Sequence, residues 1–415
     1  MGSLGCGLAQ DIQQLCIARA VAGIGGGGMT SIVSILLSDI VSLRDRGVYQ
    51  GYINMIYSAG TSIGAPLGGL LADSIGWRWS FMGQAPLCFI AIIAVYFVLE
   101  MPPRDQDNWV TKLGRIDFAG AFTLIAAVIS MSVGLDSGAN LGWSNLRTII
   151  SLAITPVLFG IFILIEMKFA SNPFAPGHII FERSLFACYL TNFFATGGQF
   201  GVLFFMPLYF QAVMGLNATQ SGALLVPGMI ASVTASVGAG IAIKKTGKFH
   251  KMTIWSFGLL LMSVLPLALS VWKKSLVGQE IGLVMCCFGG AYGITTTLIG
   301  MLANSAAKDS AVVISCSYLF RSLGSSIGVS ISAAVLQQVL RDQLSERLQD
   351  SDTAREVEEK VRQSLDFIAQ LPPLVADQVR TSYQMATLAA YIPTFVCFCF
   401  AFVATFRIRE KALQK

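Results

Sequence analysis

Two arginines, Arg19 and Arg321, sit inside long apolar runs of this 415-residue chain. A guanidinium keeps its proton, so within a membrane each must face protein, backbone carbonyls or water. Arg19 can hold a solute carboxylate or tune the proton affinity of a neighbouring acid. Arg19 opens the run Arg19-Ala20-Val21-Ala22-Gly23-Ile24-Gly25-Gly26-Gly27-Gly28, one turn into its span. Snorkelling to the nearby interface is the simpler alternative there, and the glycines that follow are expected to serve close packing. Arg321, in Ser317-Tyr318-Leu319-Phe320-Arg321-Ser322-Leu323-Gly324-Ser325-Ser326-Ile327-Gly328, lies deeper. Interior function or a tie to a backbone carbonyl is expected of it. Asn192, Gln199, Tyr209 and Gln211 populate another apolar run, where they can line a polar cavity or glue helices together.

The carboxylates are placed differently. Asp39, Asp73, Asp117, Glu166 and Glu280 all stand at the ends of apolar runs. A proton-coupled carrier needs a titratable group in its access path. Either Asp39, Asp117 or Glu280 reaches inward, or the coupling acid lies in sequence outside this chain; the second is the expectation. His178 and His250 both fall between runs, so no convergent catalytic or metal-ligand set forms, and neither enzyme chemistry nor a cofactor is expected. All nine cysteines fall in apolar stretches, without disulfide or metal spacing, and read as buried, inert thiols.

The elements that must hold these groups are membrane helices. The residues are 54% hydrophobic and 12% charged, with a mean hydropathy of +0.67. That charge is about half of a soluble domain's. The net charge of +5 belongs to short interhelical loops, which argues against nucleic acid as a partner. Runs long enough to cross a bilayer occupy 15–40, 50–72, 79–99, 117–135, 148–166, 186–213, 219–243, 252–272, 278–302, 311–338 and 385–406. The fold class is therefore an all-α polytopic membrane protein with eleven full crossings, preceded by a partial apolar helix from Met1 to Ala9. Alternate loops on one side carry Arg44 and Arg46; Arg104, Lys112 and Arg115; Lys168 and Arg183; Lys244, Lys245, Lys248 and Lys251; and Lys308, with Arg407, Arg409, Lys411 and Lys415 in the tail. The other side's short loops hold only Arg78, Arg147, Lys273 and Lys274. The positive-inside rule then makes the first side, and the C-terminus, cytoplasmic. The loop 341–384 lies opposite. A solvated, partly flexible segment is the expectation there; Val357, Val361, Leu365 and Ile368 recur at helical spacing, so a short amphipathic helix capping the bundle is the alternative.

Gly60-Thr61-Ser62-Ile63-Gly64-Ala65-Pro66-Leu67-Gly68-Gly69 adds a mechanical feature. Gly60, Gly64 and Gly68 share one helix face, where another backbone can approach closely, and Pro66 removes an amide donor and bends the helix. That is the composition of a moving seam. Gly324, Gly328 and Ser332 form a second small face.

Together, the Arg19–Gly28 run, Ser38-Asp39-Ile40-Val41-Ser42-Leu43-Arg44-Asp45-Arg46-Gly47, the Gly60–Gly69 ladder with Trp77-Arg78-Trp79, and Phe320-Arg321-Ser322-Leu323-Gly324 resemble the fungal fourteen-span drug:proton antiporter branch of the major facilitator superfamily. Ala65 departs from that family's usual glycine. The wording of Ser34–Ile40 and Gly68–Trp79 is most similar to its vacuolar amino acid transporters. The resemblance implies a chain that begins near the family's third span, without the first two spans and their acid. It implies an N-terminal half over 1–99, two linker spans within 100–185, and a C-terminal six-helix half over 186–415. It also implies a monomeric, proton-coupled antiporter moving amino acids, basic ones foremost, across the vacuolar membrane. Arg19 would couple protons, Gly60, Gly64, Pro66, Gly68 and Gly69 would form the seam, and Asp39, Arg44 and Arg46 a cytoplasmic gate. Asn192, Gln199, Tyr209, Gln211 and Arg321 would be the interior polar candidates for substrate. The alternatives are efflux of amphiphilic drugs at the plasma membrane and a non-transporting membrane receptor or partner protein.

Overall fold

The computed structural model describes residues 1–41, 43–98, 117–169, 177–306, 309–348, 360–361 and 365–411. Every regular element among them is helical. Lipid offers backbone amides no partner, so an apolar chain must satisfy them within each segment. Polar residues at the ends of the runs start several helices. Asp117 accepts from Gly120 N at 2.8 Å, Glu182 from Leu185 N at 2.7 Å, and Asn217 and Gln220 form a reciprocal capping box. Gly247, at φ +67°, ends the Val226–Thr246 helix in a left-handed turn that side chains resist.

Ten helices among the described residues are long and apolar enough to cross a membrane, against the eleven expected. The difference is the span expected at 50–72. It lies in the 32-residue helix Leu43–Ser74, where tyrosines, serines, a threonine and glycines dilute the apolar residues. The piece before the first crossing is a helix, Gly2–Leu8, packed on Ala18, Ala22 and Met82.

Packing is densest among the helices after residue 183. Arg183–Ala212 lies against both Ser310–Arg347 and Pro373–Thr405, while Leu276–Asn304 packs on Val226–Thr246 and His250–Met262. Their shared core buries Phe205, Tyr209, Phe210, Phe257, Leu267 and Phe398. The earlier helices contribute little to it. Gln84–Val98 buries no residue, and Ile12–Ile40 is exposed along most of its length. Leu43–Ser74 is the exception, running beside Val226–Thr246.

Two expectations change here. The last two crossings overrun their expected limits, to Arg347 and from Pro373, because Leu336, Leu340 and Leu344 continue the apolar face and find Val379 and Tyr383 to bury against. Between them, Val361 and Ile368 are buried on that cluster, so the segment caps the bundle; Leu365–Gln370 is a 3-10 turn, and Val357 lies outside the described residues. Cys16 and Cys88 are exposed rather than buried, and Cys397 and Cys399 are half-buried.

Candidate functional site

Arg321 is the twelfth residue of the Ser310–Arg347 helix, about 17 Å along it at 1.5 Å per residue. Its guanidinium carbon lies 5.2 Å from the centre of the Tyr318 ring, one turn earlier. Its Nε is buried without a hydrogen-bond partner, and no carboxylate pairs with it among the described residues. The backbone beneath it is clamped. Thr196 Oγ1 donates to the Arg321 carbonyl at 3.0 Å, and Phe320 stacks on Tyr189 with ring centres 5.2 Å apart. A Cβ on Gly197 would stand 2.9 Å from the Gly324 carbonyl oxygen, so the two helices touch backbone to backbone immediately beyond the arginine. The small face read from Gly324, Gly328 and Ser332 is the one that makes this contact, with Ser332 facing Gly201.

Asn192 belongs to the clamp. Its Nδ2 donates to Ser317 Oγ at 3.4 Å, and its Oδ1 accepts from Thr297 Oγ1 at 2.9 Å. Both bonds hold three helices in register, the role of interhelical glue. Gln199 packs against Gly290. Tyr209 and Gln211 lie seventeen and nineteen residues past Asn192, roughly 25 Å and more along the same helix, so they do not join Arg321. The buried Tyr209 hydroxyl has no hydrogen-bond partner, and neither do the Tyr391 hydroxyl beside it and Thr394 Oγ1. Tyr391 and Thr394 were not foreseen; in sequence they are two ordinary residues around Pro393.

Contacts also cross from the early helices to the late ones. Tyr318 Oη and Ser34 Oγ are 2.7 Å apart, joining Ile12–Ile40 to Ser310–Arg347. Lys244 Nζ reaches Asp45 Oδ1 at 2.9 Å, joining the start of Leu43–Ser74 to the last turn of Val226–Thr246. Both contacts lie toward the end bearing the basic loops. The ion pair uses the acid between Arg44 and Arg46; charge spacing marked that loop but not which residue would bridge. The side chains of Asp39, Arg44, Arg46 and Pro66 lie outside the described residues.

Three expected placements are corrected. Arg19 is exposed, its guanidinium 5.7 Å from the Phe81 ring centre, rather than turned into the bundle. A Cβ on Gly60, Gly64 or Gly68 would meet nothing within 4 Å; close backbone approach falls at Gly69, against Ala218 and Thr219 at 3.0 Å. The glycines Gly23 and Gly25 to Gly28 are equally open. Four-residue spacing establishes a shared face but not that anything lies on it. Among the acids weighed as reaching inward, Glu280 does so: both carboxylate oxygens are shielded from solvent without a hydrogen-bond partner. Asp117 spends one oxygen on its helix cap.

A model of the Major Facilitator Superfamily matches residues 1–329. The chain is 38% identical over 329 residues to the vacuolar membrane amino acid uptake transporter fnx2 of Schizosaccharomyces pombe. That match covers 78% of this chain and 56% of the relative, so the chain spans little more than half of that protein's length. It is 31% identical to the multidrug resistance protein fnx1 of the same organism over 415 residues, 99% of this chain and 78% of that protein. Among solved structures it is similar to a bacterial homolog of the human lysosomal transporter Spinster, in an inward-facing, unoccupied conformation, with a TM-score of 0.58. That match, at 13% identity, covers 98% of this chain and 80% of the other.

Proposed function

The chain belongs to the major facilitator superfamily, and from that premise we propose that it acts in proton-coupled antiport of amino acids, basic ones foremost, across the vacuolar membrane. Transport would proceed by alternating access, with the early helices rocking against the late ones about a site near the bilayer midplane. The single observation that carries this reading is an intramembrane arginine that no carboxylate pairs among the described residues, beside breakable polar links between the two groups of helices. In the proposed orientation the basic loops and the C-terminus face the cytoplasm. Arg19 keeps its proposed coupling role as an exposed cation near Phe81. The likeness to fnx2 supports an amino acid substrate and a vacuolar membrane; the likeness to fnx1 supports drug efflux as the second reading.

The test is flux. The chain is reconstituted in proteoliposomes, and labelled arginine and lysine uptake is followed under an imposed pH gradient. Uphill uptake that collapses with a protonophore supports the reading. Movement of amphiphilic cations with no amino acid flux would replace it with drug efflux, and no flux of either kind would bring the non-transporting reading forward.

The Asp45–Lys244 pair gives a milder test. Both side chains are about half exposed, so the pair contributes on the order of 0.2–1 kcal/mol. Asp45→Lys or Lys244→Asp should therefore change the transport rate by about 1.4- to five-fold. The double variant, which restores the pair with its charges exchanged, should return toward the parental rate. Equal defects in the single and double variants would show that the pair has no gating role.

A further inference from the structure

We propose that Arg321 recognises the carboxylate of the transported solute, with the hydroxyls of Tyr318 and Ser34 beside it; this rests on the amino acid reading above. A permanent cation inside an apolar helix bundle is costly unless something neutralises it. Here the neighbours supply everything except an anion. The Tyr318 ring gives a cation–π contact, Thr196 holds the backbone carbonyl, and no carboxylate from the described residues approaches. Packing fixes the backbone that carries the group, because Gly324 and Gly328 lock its helix against Phe193 and Gly197. A carboxylate is the anion whose geometry a guanidinium fork matches with two parallel hydrogen bonds.

The neighbouring hydroxyls make the site more than a charge. Tyr318 Oη and Ser34 Oγ satisfy one another at 2.7 Å across the boundary between the early and late helices. A carboxylate on Arg321 would offer Tyr318 a stronger acceptor than a serine hydroxyl does. Tyr318 has one proton to give, so with Tyr318 as the donor in that pair the carboxylate would break the bond to Ser34, and with it one link between the two groups of helices. Solute binding and helix separation would thus share a hydrogen bond, which is the differential interaction that alternating access requires. Asn192 cannot take this part, since its amide is committed to Ser317 and Thr297.

The experiment compares arginine with agmatine, which keeps both cationic groups but lacks the carboxylate, in proteoliposomes of the full chain. Wild-type protein should favour arginine by roughly tenfold or more, because a site built to bond a carboxylate leaves its own groups unpaired when that partner is missing. Arg321→Gln should lose that preference, while Arg321→Lys, which keeps the charge but not the fork, should retain part of it. Agmatine should also fail to compete for arginine uptake by the wild-type protein, a measurement that needs no variant to fold. If wild-type protein moves arginine and agmatine alike, or if Arg321→Gln keeps the preference, the assignment to Arg321 is wrong and the amino acid reading survives. If neither compound moves while amphiphilic cations do, both fall together.

Discussion

Valine at Gly324 is expected to destabilise the protein by at least about 3 kcal/mol, the upper end of what overpacking usually costs. A Cβ there would run into the backbone of Phe193, with the Phe193 Cα only 2.9 Å away. Backbone cannot rotate aside as a long side chain can, so the two helices would have to part. The damage would spread to the hydrogen bonds set by that approach, from Thr196 to the Arg321 carbonyl and from Asn192 to Ser317. Gly238, in the Val226–Thr246 helix, is the control, because a Cβ on it would meet nothing within 4 Å. Thermal unfolding of the purified variants in detergent, read as the surviving monodisperse fraction, should separate them clearly. Gly238→Val should melt with the parent and Gly324→Val well below it. A Gly324→Val protein that melted with the parent would mean the backbone contact is not structural.

The same contact shows what the sequence could and could not convey. Long apolar runs must be helices in lipid, so the elements were readable, and their polar ends marked most boundaries. Gly324, Gly328 and Ser332 share a face at four-residue spacing, and that face meets another helix. Gly60, Gly64 and Gly68 have the same spacing, yet their face is open. A helix that is apolar all round carries little directional signal, so its pattern does not say which side meets protein and which meets lipid. Nothing in the pattern therefore marked Arg19 as turned outward, while Arg321, deeper in its run, had fewer ways to reach water. The Ser34–Tyr318 and Asp45–Lys244 contacts join residues far apart in the chain, and nothing local in either stretch announces its partner. Tyr391 and Thr394 escaped notice because buried hydroxyls acquire meaning only when their missing partners can be seen.

Valine at Gly64 should have the opposite signature to valine at Gly324. The site is exposed and a Cβ there touches nothing, so the fold should tolerate the substitution, with a melting temperature within a few degrees of the parent. Transport should nonetheless fall by roughly tenfold or more, if Gly60, Gly64 and Gly68 form a face that closes in the alternate state. Another face of the same helix already lies along Val226–Thr246, and Gly69 at its far end touches Ala218 and Thr219. A small rotation of the helix about that contact would bring the glycine face toward a neighbour. The two methyls of the valine would then occupy the space the approaching backbone needs, and the protein would be held in the open arrangement. The comparison needs both readouts on one preparation, stability and flux. A Gly64→Val protein that is stable and transports at the parental rate would show that the glycine ladder is not the moving seam, and that rocking, if it occurs, closes on some other face. A stable but silent one would place the two glycine sets in different roles: Gly324 and Gly328 as a fixed weld that positions Arg321, and Gly60 to Gly68 as the surface against which the other helices move.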